Sequence, residues 1–77
     1  MQFSAVITKE GNYYIALCPE LDIASQGKKV EEALSNLKEA IALYLEDEDA
    51  KVPKQDFNPL VTLIEVGEVE PPSSVRA

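Results

Sequence analysis

The chain has 77 residues, one cysteine and no histidine, and fourteen acidic against seven basic side chains leave it a net charge of -7. A chain this short makes one domain that buries only about 60–65% of the surface its unfolded form exposes; an intramolecular disulfide is excluded, and the missing histidine removes the usual nitrogen ligand of zinc and iron sites and the commonest general base. The charge repels a phosphate backbone, which argues against direct nucleic-acid binding, and would steer the protein towards a basic partner.

The first segment, Gln2 to Lys9, alternates with Phe3, Ala5 and Ile7 on one face and Ser4, Val6 and Thr8 on the other, the pattern of a half-buried strand. Glu10-Gly11-Asn12 then places the residues that best tolerate positive φ between two strand-like runs, which predicts a hairpin. Its second arm runs from Tyr13 to Cys18, with Tyr13, Ile15 and Leu17 on one face and Tyr14, Ala16 and Cys18 on the other, and Pro19 ends it by removing a ladder donor. Glu20 and Asp22 flank Leu21, so an extended backbone there would point both carboxylates to one side. A short third strand is expected over Ile23 to Gln26, broken by Gly27.

From Lys29 or Val30 to Leu45 the apolar residues Val30, Ala33, Leu34, Leu37, Ala40, Ile41, Tyr44 and Leu45 fall on one stripe of a 3.6-residue period. The spacing predicts an amphipathic helix laid across the sheet, with Lys38 and Ala42 on the solvent side. Glu31 and Glu32 sit in its first turn, where carboxylates are favoured. Lysine at the cap position cannot accept a hydrogen bond, so Ser25, water or a shifted start must satisfy the first amides. Glu46-Asp47-Glu48-Asp49 is unfavourable at the negative end of the helix dipole, which predicts a frayed last turn or one neutralised by Lys51, Lys54 or a partner.

Residues 50–59 read as a loop, with Phe57 returning to the core as a plug. Residues 60–69 read as a strand whose Leu60, Val61, Leu63, Ile64 and Val66 are apolar on both faces. Burial on both faces is then required, one against the helix and one against another protein surface. The expected organisation is a domain over residues 1–70 followed by a disordered tail over 71–77.

Chemistry finds little footing in these residues. Cys18, at the end of an apolar strand, reads as a small core residue and not as a nucleophile. Glu20 and Asp22 could serve a divalent cation or a degenerate nuclease, but carboxylates beside a proline turn are usually solvated or used in turn hydrogen bonds. Tyr13 and Tyr14 read as strand residues that also cover an interface, and Lys9, Lys28 and Lys29 are too few for a nucleic-acid stripe. We therefore expect no enzyme, no metal and no cofactor. No apolar run reaches the roughly 20 residues of a membrane span, and the N-terminus lacks a signal-peptide pattern, so the expected compartment is the cytoplasm.

Gly11-Asn12-Tyr13-Tyr14-Ile15-Ala16-Leu17-Cys18-Pro19-Glu20-Leu21, then Ser25-Gln26-Gly27, then Glu31-Glu32-Ala33-Leu34-Ser35-Asn36-Leu37-Lys38-Glu39-Ala40-Ile41, resembles the HicB-type antitoxin domain over roughly residues 1–48. The resemblance implies an α+β, βββαβ fold similar to a truncated RNase H-like arrangement, with one helix on a small, mostly antiparallel sheet. It also implies homo-oligomers, dimer or tetramer, and a small basic HicA-type toxin that cleaves mRNA as the partner to be silenced. A chain ending at Ala77 leaves no room for the DNA-binding domain many relatives carry, so autorepression is not expected. Lys29 stands where that family would place a threonine or serine cap. The interface expected for such a partner comprises Tyr13, Tyr14, Val61, Leu63 and Ile64; a solitary homo-oligomer without a toxin is the alternative.

Overall fold

A computed structural model describes residues 2–54 and 59–67. Three strands and one helix follow one another as β1 (Val6–Glu10), β2 (Tyr13–Cys18), β3 (Ile23–Gly27) and α1 (Val30–Leu45). The fold is α+β, a βββα unit whose strand order in the sheet is also its order in the chain, each strand antiparallel to the next.

The hairpin forms where glycine permits it. Gly11 has φ 57 at the first of the two turn positions, and Glu10 lies opposite Tyr13; this is the glycine position of a II′ turn, whose twist suits a hairpin. Between β2 and β3 the chain turns at 19–22, and Asp22 carries φ 56, a left-handed conformation that aspartate tolerates better than most residues. β1 starts at Val6 and not at Gln2. Val6 pairs with Leu17, and Pro19 stops β2 one residue beyond Cys18, so residues 2–5 find no ladder partner.

Alternation decides which side meets the helix. Ala16, Cys18 and Ala33 are fully buried and Leu37 is 2% exposed; Phe3, Ile7, Tyr14, Leu21, Ile23, Leu34 and Ile41 pack around them. Small side chains on both layers allow a close approach, closest at Gly27, which ends β3 beneath the first turn of α1. The helix lies across β3 and β2, leaving β1 largely beyond it. The opposite face presents Val6, Leu17 and Ala24 in one row and Thr8, Ile15 and Gln26 in the next; among the described residues no helix or strand lies over it.

The helix starts at Val30 without a side-chain cap on Lys29, whose backbone is extended. Glu32 makes a different bond, its Oε1 accepting at 2.6 Å from the Lys28 N–H just outside the helix, which resembles the reciprocal half of a capping box moved one residue outward and leaves the first-turn amides without a side-chain cap. At the other end no basic residue occupies the last turn, and the chain leaves the helix in a tighter turn of i→i−3 bonds, Glu46 N–H to Leu43 O and Asp47 N–H to Tyr44 O, in place of a frayed end. The Tyr44 hydroxyl donates to Lys51 O and accepts from Lys51 N–H, both at 2.9 Å, pinning the outgoing chain to the helix through backbone groups and not through the lysine charge.

The fourth strand expected over 60–69 is absent among the described residues. Residues 59–67 carry no strand pairing, and Leu60, Val61, Leu63, Ile64 and Val66 are exposed, Leu63 to 96% and Ile64 to 82%. The reason is physical: a segment apolar on both faces needs cover on both, and the single helix is committed to β2 and β3. Phe57 and the 71–77 tail lie outside the described residues.

Candidate interaction surface

The two carboxylates beside Pro19 do not act together. The turn at 19–22 is not extended, so Glu20 and Asp22 do not share a side: Asp22 is exposed, whereas Glu20 turns back on the segment before β1. Both Glu20 oxygens accept from the Ser4 N–H, at 3.1 and 3.2 Å, and Oε2 also accepts from the Ser4 hydroxyl. The Cys18 thiol donates to Oε1 at 3.4 Å. Among the described residues, no three of the side chains that ligate metals come together.

These bonds shift both groups. The Ser4 hydroxyl, ahead of other donors, holds the Glu20 carboxyl below the usual glutamate value, and burial pushes the Cys18 thiol up, with Glu20 adding to the rise. A carboxyl lowered on folding contributes stability above its unfolded pKa, and that contribution is lost as pH falls through the folded value. Glu20→Gln is therefore expected to lower the melting temperature at pH 6–7 and to flatten its decline towards pH 3, as thermal melts of both chains across that range would read. A Glu20→Gln curve parallel to that of the parent would show that Glu20 is not held this way.

The five expected interface residues occupy three places. Tyr13 is 43% exposed on the outer face of the sheet. Tyr14 lies on the inner face against the core, and the Lys9 ammonium sits over its ring 5.4 Å from the centroid. Val61, Leu63 and Ile64 stand out from the body on 59–67. Apart from these, Glu31, Glu32, Glu39 and the run at 46–49 are exposed, so the acidic surplus follows the outer side and end of the helix.

A groove lies between the helix and the segment that precedes β1. It has a volume of about 480 Å³ and runs between residues 2–5 and the helix positions Leu34, Leu37, Lys38, Ile41, Ala42 and Leu45. Lys38 and Ala42 are exposed, as expected for the solvent side, and stand at the rim of this open groove. Leu45, at the end of the apolar stripe, is 36% exposed, so the far end of the stripe is left partly uncovered.

Comparison with known proteins assigns the chain to a family. A UPF0150 protein of Helicobacter pylori strain J99 is 55% identical over 51 residues, covering 65% of this chain and 71% of its own. Another from Thermoplasma acidophilum is 39% identical over 61 residues, covering 73% of this chain and 88% of its own. The chain belongs to the UPF0150 family. A third UPF0150 protein, from Synechocystis, is 41% identical over 70 residues, covering 80% and 87% of the two chains. No family model matches, and no solved structure matches. Among the described residues of this UPF0150 chain, no helix is long and apolar enough to cross a membrane.

Proposed function

We propose that this UPF0150 chain is a protein-binding module of the HicB antitoxin type, a cytoplasmic protein without catalytic activity of its own that sequesters a small basic RNA-cleaving protein. The observation carrying this reading is the pairing of uncovered apolar surface with acidic charge. Five large apolar side chains stand exposed on 60–66 beside a body whose surplus carboxylates face solvent. Exposed apolar surface of this extent marks a site of association, and the charge of -7 selects a basic partner and speeds its capture. The resemblance over residues 1–48 supplies the class of partner.

The test is a pull-down of the tagged protein from lysate of its native host, with the retained protein identified by mass and assayed for ribonuclease activity after release and refolding. A stoichiometric small basic protein that cleaves RNA, and is silenced when this chain is added back, is the expected result. Recovery of this chain alone, under conditions where a neighbouring toxin gene is expressed, would overturn the reading in favour of the solitary homo-oligomer.

A further inference from the structure

We infer that the groove between residues 2–5 and α1 binds an unbranched alkyl carboxylate, a single apolar tail carrying one negative head group. Its volume of about 480 Å³ falls in the range of small-molecule sites, roughly 300–1,000 Å³. The lining also has the composition of such a site: Phe3, Leu34, Leu37, Ile41 and Leu45 make it apolar, and one cation, Lys38, stands at the rim. The site is preformed. No ladder holds residues 2–5, yet the wall they make is tied in place, because Glu20 accepts from both the N–H and the hydroxyl of Ser4 and Phe3 packs against the core.

Shape selects the tail. The apolar lining positions of α1 fall at i, i+3, i+7 and i+11 from Leu34, a straight stripe of about 16 Å at 1.5 Å per residue. Such a stripe suits a linear chain laid along the helix better than a compact ring. The groove is open to solvent along one side, so a chain enters without the fold having to part.

Charge selects the head. Lys38 is the one basic side chain in α1, whose other charged residues are Glu31, Glu32 and Glu39, so the rim of the groove is positive where the rest of the helix surface is acidic. Helical side chains lean towards the N-terminus, which carries the Lys38 ammonium towards the Leu34 end, its methylene stem along the apolar lining and its charge in water. The carboxylate then sits at that end and the tail runs towards Leu45. A net charge of -7 opposes an anion at long range, so burial of the tail supplies the affinity, and Lys38 supplies the orientation and the choice of head group.

This inference goes beyond the proposed function, uses a surface separate from the exposed 60–66 segment, and is tested without a protein partner. Calorimetric titration of sodium decanoate into the full chain, below the micelle concentration, should show saturable binding of one molecule per chain. Decanol, the same tail without the charge, should bind roughly two- to fivefold more weakly, the worth of an exposed ion pair, and Lys38→Gln should erase that difference with the far-UV spectrum retained. Ala5→Trp, at an exposed position bordering the groove, should fill it and weaken decanoate at least about tenfold; Ala42→Phe should do the same from the helix side. No saturable binding, uptake only above the micelle concentration, or binding indifferent to both filling variants would overturn the site. Equal affinity of the unmodified chain for the alcohol would overturn the choice of head group. Binding that appears only in Ile64→Lys would assign the groove to the chain's own apolar segment and overturn the inference too.

Discussion

Gly27→Ala should destabilise the domain by roughly 1–3 kcal/mol, the cost of overpacking a tight contact. A Cβ at this position would lie 2.6 Å from Ala33 N, 2.8 Å from Glu32 Cβ and 2.9 Å from Glu32 C. None of these is the free end of a side chain that could swing away. Relief requires the first turn of α1 to lift from β3, and that turn is already fastened by Ala33 N–H to Lys29 O at 3.0 Å and by Glu32 to Lys28 N–H. A little further along, the Asn36 amide donates to Gln26 O at 2.9 Å and holds the same strand end against the helix. In a domain of this size each kcal/mol moves the melting temperature by about 4–8 °C, so a circular-dichroism melt resolves the effect. A melting temperature unchanged within 2 °C, roughly the resolution such a shift demands, would mean that the approach of strand and helix is looser than these distances state.

Leu37→Ala should cost more, about 2–5 kcal/mol, since it removes transfer energy and leaves a cavity. Its neighbours in the buried cluster are Ala16, Cys18 and Ala33, short side chains that cannot extend into the space, so collapse around the cavity is limited. Leu43→Ala is the matched control. Leu43 is 63% exposed on the same helix, and its loss should stay within about 0.5 kcal/mol. Urea denaturation of the three chains, compared at constant m-value, measures the difference. If both variants lost equal stability, Leu37 would not hold the place in the core assigned to it.

Local chemistry makes much of the fold legible in the sequence. Period-two alternation places Tyr14, Ala16 and Cys18 on a single face, and the folded chain turns that face towards the helix. The glycine turn, the break at Pro19 and the apolar stripe set the hairpin and helix close to their true limits. The uncapped Lys29 is equally readable, although the bond from Lys28 N–H to Glu32 beside it is not. What stays illegible depends on partners distant in the chain. Residues 60–69 have a strand-like composition, but whether a strand forms depends on an edge being offered to it, which composition does not encode. Glu20 reaches Ser4 across sixteen positions of the chain, and a flanking pair of carboxylates looks the same in sequence whether or not such a distant partner exists. Gly27 is legible as a break and not as a close approach, since the second role exists only once the helix has folded back over the strand. The candidate surface is harder still. Tyr13 and Tyr14 alternate faces as their spacing requires, while the groove brings residues 2–5 to helix positions some thirty residues further along the chain, a juxtaposition no single residue carries.

Because the strands neighbour one another in the order they are made, the contacts that build the sheet and seat the helix join nearby parts of the chain. Such topologies fold in microseconds to milliseconds. Synthesis adds about 5–20 residues per second, so the fourteen residues that separate Leu45 from Leu60 take on the order of one to three seconds to make. The residues of the sheet and helix are therefore all made before the apolar segment at 60–66. That segment takes no part in the body that the earlier residues build, and its side chains stay open to another chain once that body has formed.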